Sequence, residues 1–308
     1  MISVRIIVIS IGTLLLPHLL SQVALADSTQ SSFVGNGACA SCHEAQVQDW
    51  TNSHHDLAMQ EVSEKTVLGD FDDATFIYEG VTTTFFRKGD EYWVKTDNES
   101  GELQDYRVAY VFGVYPLQQL LLPTQKDRLN ALSIAWDARN ASEGGQKWYH
   151  IYEDQETVTS ESPLHWTGVY HNWNSRCAEC HSTNVVKGYD GKRRQYTTIY
   201  DQIDVGCEAC HGPGSRHIKL ATAGKVDRSQ SPAEMGLALS LAARGQWSRA
   251  PEDDIAHRVT PLTDHIQVDN CGRCHSRRAT LGDYHYGQSL LDTPVSYTHL
   301  TLPTTPYV

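Results

Sequence analysis

All eight cysteines of this 308-residue chain sit in C-x-x-C pairs, and each pair is followed directly by histidine. The four copies are Cys39-Ala-Ser-Cys42-His43, Cys177-Ala-Glu-Cys180-His181, Cys207-Glu-Ala-Cys210-His211 and Cys271-Gly-Arg-Cys274-His275. This is the attachment pattern of c-type haem. Two thiols separated by two residues can add to the two vinyl groups of one porphyrin, and the adjacent imidazole then lies within reach of the iron as proximal ligand. Structural zinc, disulfides or a redox dithiol could also use C-x-x-C pairs, but none of them requires histidine after every second cysteine. The expected cofactors are four covalently attached haem c groups, with His43, His181, His211 and His275 on the irons.

Sixth ligands must come from elsewhere. The chain has 15 His and 3 Met. Beyond the four proximal residues, His18 and His299, nine histidines remain: His54, His55, His150, His165, His171, His217, His257, His265 and His285. Only Met59 and Met235 offer thioethers within the body of the chain, so ligation by two histidines is expected, which lowers potentials relative to Met/His. His54 or His55, close after the first motif, and His217, after the turn Gly212-Pro213-Gly214, are the first distal candidates. His165 and His257 follow. Arg277-Arg278, just past His275, are candidates to pair with propionates.

Several elements must position these groups. The first 26 residues read as a secretory signal: Arg5, an apolar stretch from Ile6 to Leu20, and Ala24-Leu25-Ala26 as the cleavage site. No later segment is long enough to span a bilayer, so the mature chain is expected to be periplasmic or otherwise exported, starting near Asp27. A short helix is expected after His43 in the first haem segment, 27–65. The insertion over 66–155 lacks cysteine and carries β-rich runs at Thr75–Tyr78, Thr82–Arg87, Tyr92–Lys95 and Tyr106–Phe112, separated by Lys88-Gly89-Asp90 and Asp97–Gly101. Ala131–Asp137 and Lys147–Tyr152 extend the pattern. Residues 156–294 hold three motifs, with His181 and His211 close enough in sequence to favour neighbouring haems. An Ala/Leu-rich helix is expected at 232–247. The fold class is therefore α+β: a mainly α or irregular multihaem core organised around four haems, with an antiparallel β-rich insertion. Because haem would supply much of that core, the chain without haem is expected to be poorly folded.

The motifs resemble the cytochrome c-554-like family. The resemblance rests on Trp50, Ser53-His54-His55 and Ala58-Met59 after the first motif, and on Asn172-Trp173-Asn174 before the second. It rests also on Cys207-Glu-Ala-Cys210-His211-Gly-Pro-Gly-Ser and Cys271-Gly-Arg-Cys274-His275-Ser-Arg-Arg. More narrowly, the chain is similar to exported multihaem cytochromes that carry tetratricopeptide repeats after the haem domain. The resemblance implies closely packed haems, mostly bis-histidine, that relay electrons. No C-x-x-C-Lys site is present, so the lysine-ligated haem of ammonia-forming nitrite reductases has no counterpart. Residues 295–305 match the translation of a sequencing adapter, so the coding sequence is expected to be cut near Pro294, with a further haem motif and the repeats lost.

Arg5 is the only charged residue before Asp27, so the chain from Asp27 on carries 24 basic and 37 acidic side chains, net −13 with His neutral. That balance argues against nucleic acid and anionic membrane surfaces as partners; it is that of a solvated acidic surface, and it would also suit an unidentified, basic redox protein. The lost repeats would be a further partner site. The expected function is electron transfer. The alternative is an oxidoreductase acting on a small nitrogen or sulfur compound at a five-coordinate haem.

Overall fold

Runs of β-branched and aromatic residues alternating with polar ones build the centre of the chain. The computed structural model describes residues 31–153, 157–227, 229–241, 246–260, 264–276, 279–280, 284–290, 292 and 295–296. The expected signal peptide, Arg277-Arg278 and the tail from 297 onward lie outside the described residues. Ten strands form the β region: β1 (Met59–Glu61), β2 (Ala74–Tyr78), β3 (Val81–Lys88), β4 (Glu91–Asp97), β5 (Leu103–Arg107), β6 (Tyr110–Phe112), β7 (Leu117–Thr124), β8 (Arg128–Ala131), β9 (Ile134–Asp137) and β10 (Lys147–His150). They make a four-stranded meander, β2-β3-β4-β5, and a six-stranded sheet, β1-β6-β7-β9-β10, with β8 also paired to β7. Their pairings are all antiparallel.

The meander follows the expected runs, with Thr83 and Phe85 on β3 and Tyr92, Val94 and Thr96 on β4 facing inward at a period of two. The expected single strand over Tyr106–Phe112 is two strands in different sheets. The hand-over occurs between neighbouring residues: the Val108 amide donates to Tyr92 O, and the Ala109 amide donates to Leu121 O. One core then serves both sheets. Phe71, Phe85, Val94 and Tyr106 pack with Val111, Leu120, Leu122, Ile134, Trp136, Trp148 and Trp166. The Trp148 ring lies 3.7 Å from that of Phe85 at 3°. The second sheet also reaches past the insertion as drawn from sequence, because β1 pairs with β6.

Histidines are buried in this β core. His150 is 4% exposed, stacks on Tyr78 at 3.8 Å, accepts from the Tyr152 amide at Nδ1 and donates from Nε2 to Ser133 Oγ at 3.0 Å. Burial, then the neighbouring His171 and His165, pushes its pKa down to about 4. His171 is lowered in the same direction by burial. An unfolded histidine takes up its proton near pH 6.5, so the unfolded chain binds more protons between about 6.5 and about 4, and stability falls as pH drops through that window. His150→Gln is expected to remove about 2 kcal/mol of this acid sensitivity, read from denaturant titrations at the two ends of the window.

The helices are short: α1 (Asn36–Ala40), α2 (Glu44–Trp50), α3 (Trp173–Arg176), α4 (Ala178–His181), α5 (Cys207–His211), α6 (Ser215–Thr222) and α7 (Ile266–His275). The expected helix after His43 is α2. The helix expected at 232–247 is absent over the described residues 232–241, which run as turns and bends. Gly236 there takes φ +76°, and a Cβ on it would lie 2.9 Å from the Arg216–His217 backbone. The segment folds against α6 instead, and that docking overrides its Ala/Leu helix propensity.

Candidate functional site

Each attachment motif occupies about one helical turn. The His43 amide donates to Cys39 O at 3.0 Å and the His181 amide to Cys177 O at 3.1 Å. The third motif is the whole of α5, and the fourth closes α7. Helical spacing at i, i+3 and i+4 puts two thiols and one imidazole on a single face, which is what one porphyrin requires.

The fold brings the motifs together in cross-paired sets. α1 packs against α5, and α4 against α7. The first motif therefore neighbours the third, and the second neighbours the fourth. Residues of the second and third motifs, whose spacing favours neighbouring haems, line one cavity: Cys180 and His181 with Ala209 and Cys210.

Two imidazole pairs stand out. His217 on α6 lies 6.3 Å from His43, centroid to centroid, at an interplanar angle of 29°. His55 lies 6.1 Å from His275 at 79°. Two histidines on opposite faces of one iron, with metal–nitrogen bonds of about 2 Å and rings of about 1.1 Å radius, would have centroids about 6 Å apart. The second-sphere contacts fit as well. His217 Nδ1 donates to Met235 O at 2.8 Å, and His181 Nδ1 donates to Ala58 O at 3.0 Å. Each leaves Nε2 for a metal, as ligating histidines require. Burial pushes the pKa values of His55, His181 and His211 down, and nearby imidazoles add to this for His55 and His211.

A cavity of about 930 Å³ opens between the second and fourth motifs, lined by Cys180, His181, Cys271, Cys274 and His275, with His54, His55 and Cys210 at its walls. Its lining also carries buried polar atoms without protein partners, the Tyr284 hydroxyl and Asn270 Oδ1. The Arg273 guanidinium lies over Tyr284 at 4.0 Å in the same cavity. Paired thiols with an adjacent imidazole, a large cavity, a leftover hydroxyl donor and a cation fit haem and its propionates.

The other distal candidates fare differently. His54 lines the cavity. His165 does not offer a free nitrogen: its Nε2 donates to Asp97 Oδ2 at 3.1 Å, and its Nδ1 accepts from Thr167 Oγ1 at 2.8 Å, inside the β core. His257 sits on an exposed two-residue ladder with Trp247–Ser248, 3.9 Å from Asp253, and the described contacts bring it to none of the motifs.

Sequence reasoning missed the groups that hold the site in place. Asn174 accepts from the Leu129 amide at 2.9 Å and Asn172 caps α3, which ties the second motif to the β8 edge. Glu208, inside the third motif, is 2% exposed. Its carboxylate accepts from the amides of Val34, Gly35 and Gly214 at 2.7–3.0 Å. It thereby joins the chain entering α1 to the turn that starts α6, so His43 and His217 are held from one residue. Glu208→Ala would strand three backbone donors and is expected to cost about 3 kcal/mol or more in denaturant unfolding, with Glu208→Gln losing less. A glutamate inside C-x-x-C-H was visible in the sequence, but nothing marked it as buried.

Residues 38–73 and 135–212 match the family model described as cytochrome c554 and c-prime. No curated protein matches the chain. Two solved structures are similar. The outer cell wall cytochrome OcwA is 20% identical, with 85% of this chain and 44% of that one covered and a TM-score of 0.49. The undecahaem cytochrome from the S-layer of Carboxydothermus ferrireducens is also 20% identical, with 61% and 22% covered and a TM-score of 0.34. The chain thus spans less than half the length of either structure. The two matched segments contain three of the chain's four attachment motifs, and over them the chain is similar to the cytochrome c554 and c-prime family.

Proposed function

We propose that this protein is an exported electron-transfer protein holding four haems, one on each C-x-x-C-H motif. The observation that carries this reading is the pair of histidine couples, His43 with His217 and His55 with His275, each at the separation of two axial ligands. Haem supplies an iron that cycles between ferrous and ferric states. The chain's part would be to supply axial imidazoles and to orient His217 and His181 through backbone carbonyls. At the first and fourth motifs, where both axial positions would be taken, no substrate needs to reach the metal, and the haem would act as an electron carrier. The secretory signal expected at 1–26 from the sequence supports export. The acidic chain supports exchange with a basic redox partner. Intact mass with a pyridine haemochrome spectrum, on protein made with a haem-maturation system, tests this reading. Four haem masses are expected. Zinc or unmodified thiols would overturn it.

One observation favours a second reading for a single site. Among the described residues no imidazole couple is seen for His181 or His211; of the two it is His181 that lines the large cavity, with Phe112 edge-on at 5.4 Å. A five-coordinate iron there would take a small nitrogen or sulfur compound. Under this reading the ferrous protein binds about one carbon monoxide per chain, followed by the Soret shift. No binding leaves electron transfer alone.

A further inference from the structure

Between the second and third motifs the chain makes an antiparallel hairpin. Bridges pair Thr183 with Gln202 and Val186 with Ile199, and a short ladder pairs Tyr189–Asp190 with Gln195–Tyr196. Lys192, Arg193 and Arg194 are exposed at its turn. With Lys187, residues 183–202 carry four cations against two carboxylates, Asp190 and Asp201, in a chain of net charge −12. Lys187 lies 3.6 Å from Glu179 and Arg193 lies 3.8 Å from Asp190, while among the described residues Lys192 and Arg194 make no ion pair. The hairpin also turns apolar side chains to solvent: Val186 is 52% exposed, Tyr189 51% and Ile199 60%. Apolar and aromatic residues ringed by cations make up the composition of a docking patch rather than of a solvated edge. One strand of this hairpin, at Asn184–Lys187, lines the cavity shared by Cys180, His181, Cys274 and His275.

We propose that the hairpin 183–202 docks an acidic one-electron carrier protein and passes its electron to the haem of the second motif. This rests on the haem reading above. Charge complementarity selects the occupant, since at ionic strengths of about 0.1 M screening over about 10 Å lets the local tip, not the net charge, set the approach. The step moves one electron: the partner's reduced centre is oxidised, a ferric iron becomes ferrous, and no bond forms or breaks.

The experiment uses the haem-loaded full chain and a reduced plant-type [2Fe–2S] ferredoxin as the acidic probe, followed by stopped flow across a salt series. The test variant carries Lys192→Glu, Arg193→Glu and Arg194→Glu. A control carries the same charge change elsewhere, at Lys65→Glu, Lys95→Glu and Lys126→Glu. Haem content is measured first, so that an absence of haem condemns the electron-transfer reading and not the docking site. The wild-type rate is expected to fall with salt, the hairpin variant to be slower by about tenfold at low salt and to converge at high salt, and the control to stay within about twofold of wild type. Equal slowing in the control, an unaffected hairpin variant, or a rate that rises with salt would overturn the proposal. So would a hairpin variant that changes only the sedimentation of the chain itself, which would assign the patch to a second copy.

Discussion

On the proposed haem reading, replacing His217 with alanine is expected to convert the haem of the first motif from low spin to high spin, removing its share of the low-spin signal in the electron paramagnetic resonance spectrum. The expectation follows from a single imidazole facing His43 at 6.3 Å, with its other nitrogen fixed by Met235 O. Loss of that imidazole leaves the haem of the first motif with His43 alone and raises its midpoint potential. Added imidazole is expected to restore the low-spin signal, which a merely structural role for His217 would not allow. His55→Ala should act in the same way on the haem of the fourth motif, while His257→Ala, on its exposed ladder, should leave the spectrum unchanged. An unaltered spectrum for His217→Ala would remove the assignment of this axial pair.

Chain produced without haem maturation is expected to keep its β region, with α3 and α4 packed on it, and to lose α1, α2, α5, α6 and α7. The two sheets share an apolar core of their own, from Phe71 to Trp166, which needs no cofactor. The haem-bearing elements have nothing comparable apart from α4, where Ala178 and the neighbouring Cys177 join Trp173 of α3 in a second apolar cluster with Met59, Phe112, Leu121 and Ala131. α1, α2 and α6 contain no buried residue, and the buried residue of α7 is Asn270. Isolated helices shorter than about 12 residues are marginal in water, so without porphyrin to pack on they should fray. This narrows the expectation, drawn from sequence, of a poorly folded haem-free chain. Hydrogen exchange is the direct measurement: amides of β3, β4 and β7 protected by several orders of magnitude, those of α1, α5 and α7 exchanging near the unfolded rate. Uniform protection, or none anywhere, would contradict it.

What the sequence determined here is chemistry that lies within one turn of chain. Two cysteines and a histidine at i, i+3 and i+4 define an attachment site wherever they fall, so all four motifs could be read without a fold. Strand alternation over Val81–Lys88 and Glu91–Asp97 was equally legible, because inward and outward faces repeat every second residue. The division of Tyr106–Phe112 between two sheets was not, since it depends on which neighbour each amide meets. Composition also misjudged residues 232–241, where contact between Gly236 and the α6 backbone outweighs local preference. Only the tertiary structure decided which histidine faces which. His217 meets the first motif and His55 the fourth, while His165, an equally reasonable candidate by type, is held by Asp97 and Thr167 in the β core. A distal ligand has no local signature: it needs an imidazole at the right distance from a distant helix, and that distance is set by packing between elements far apart along the chain.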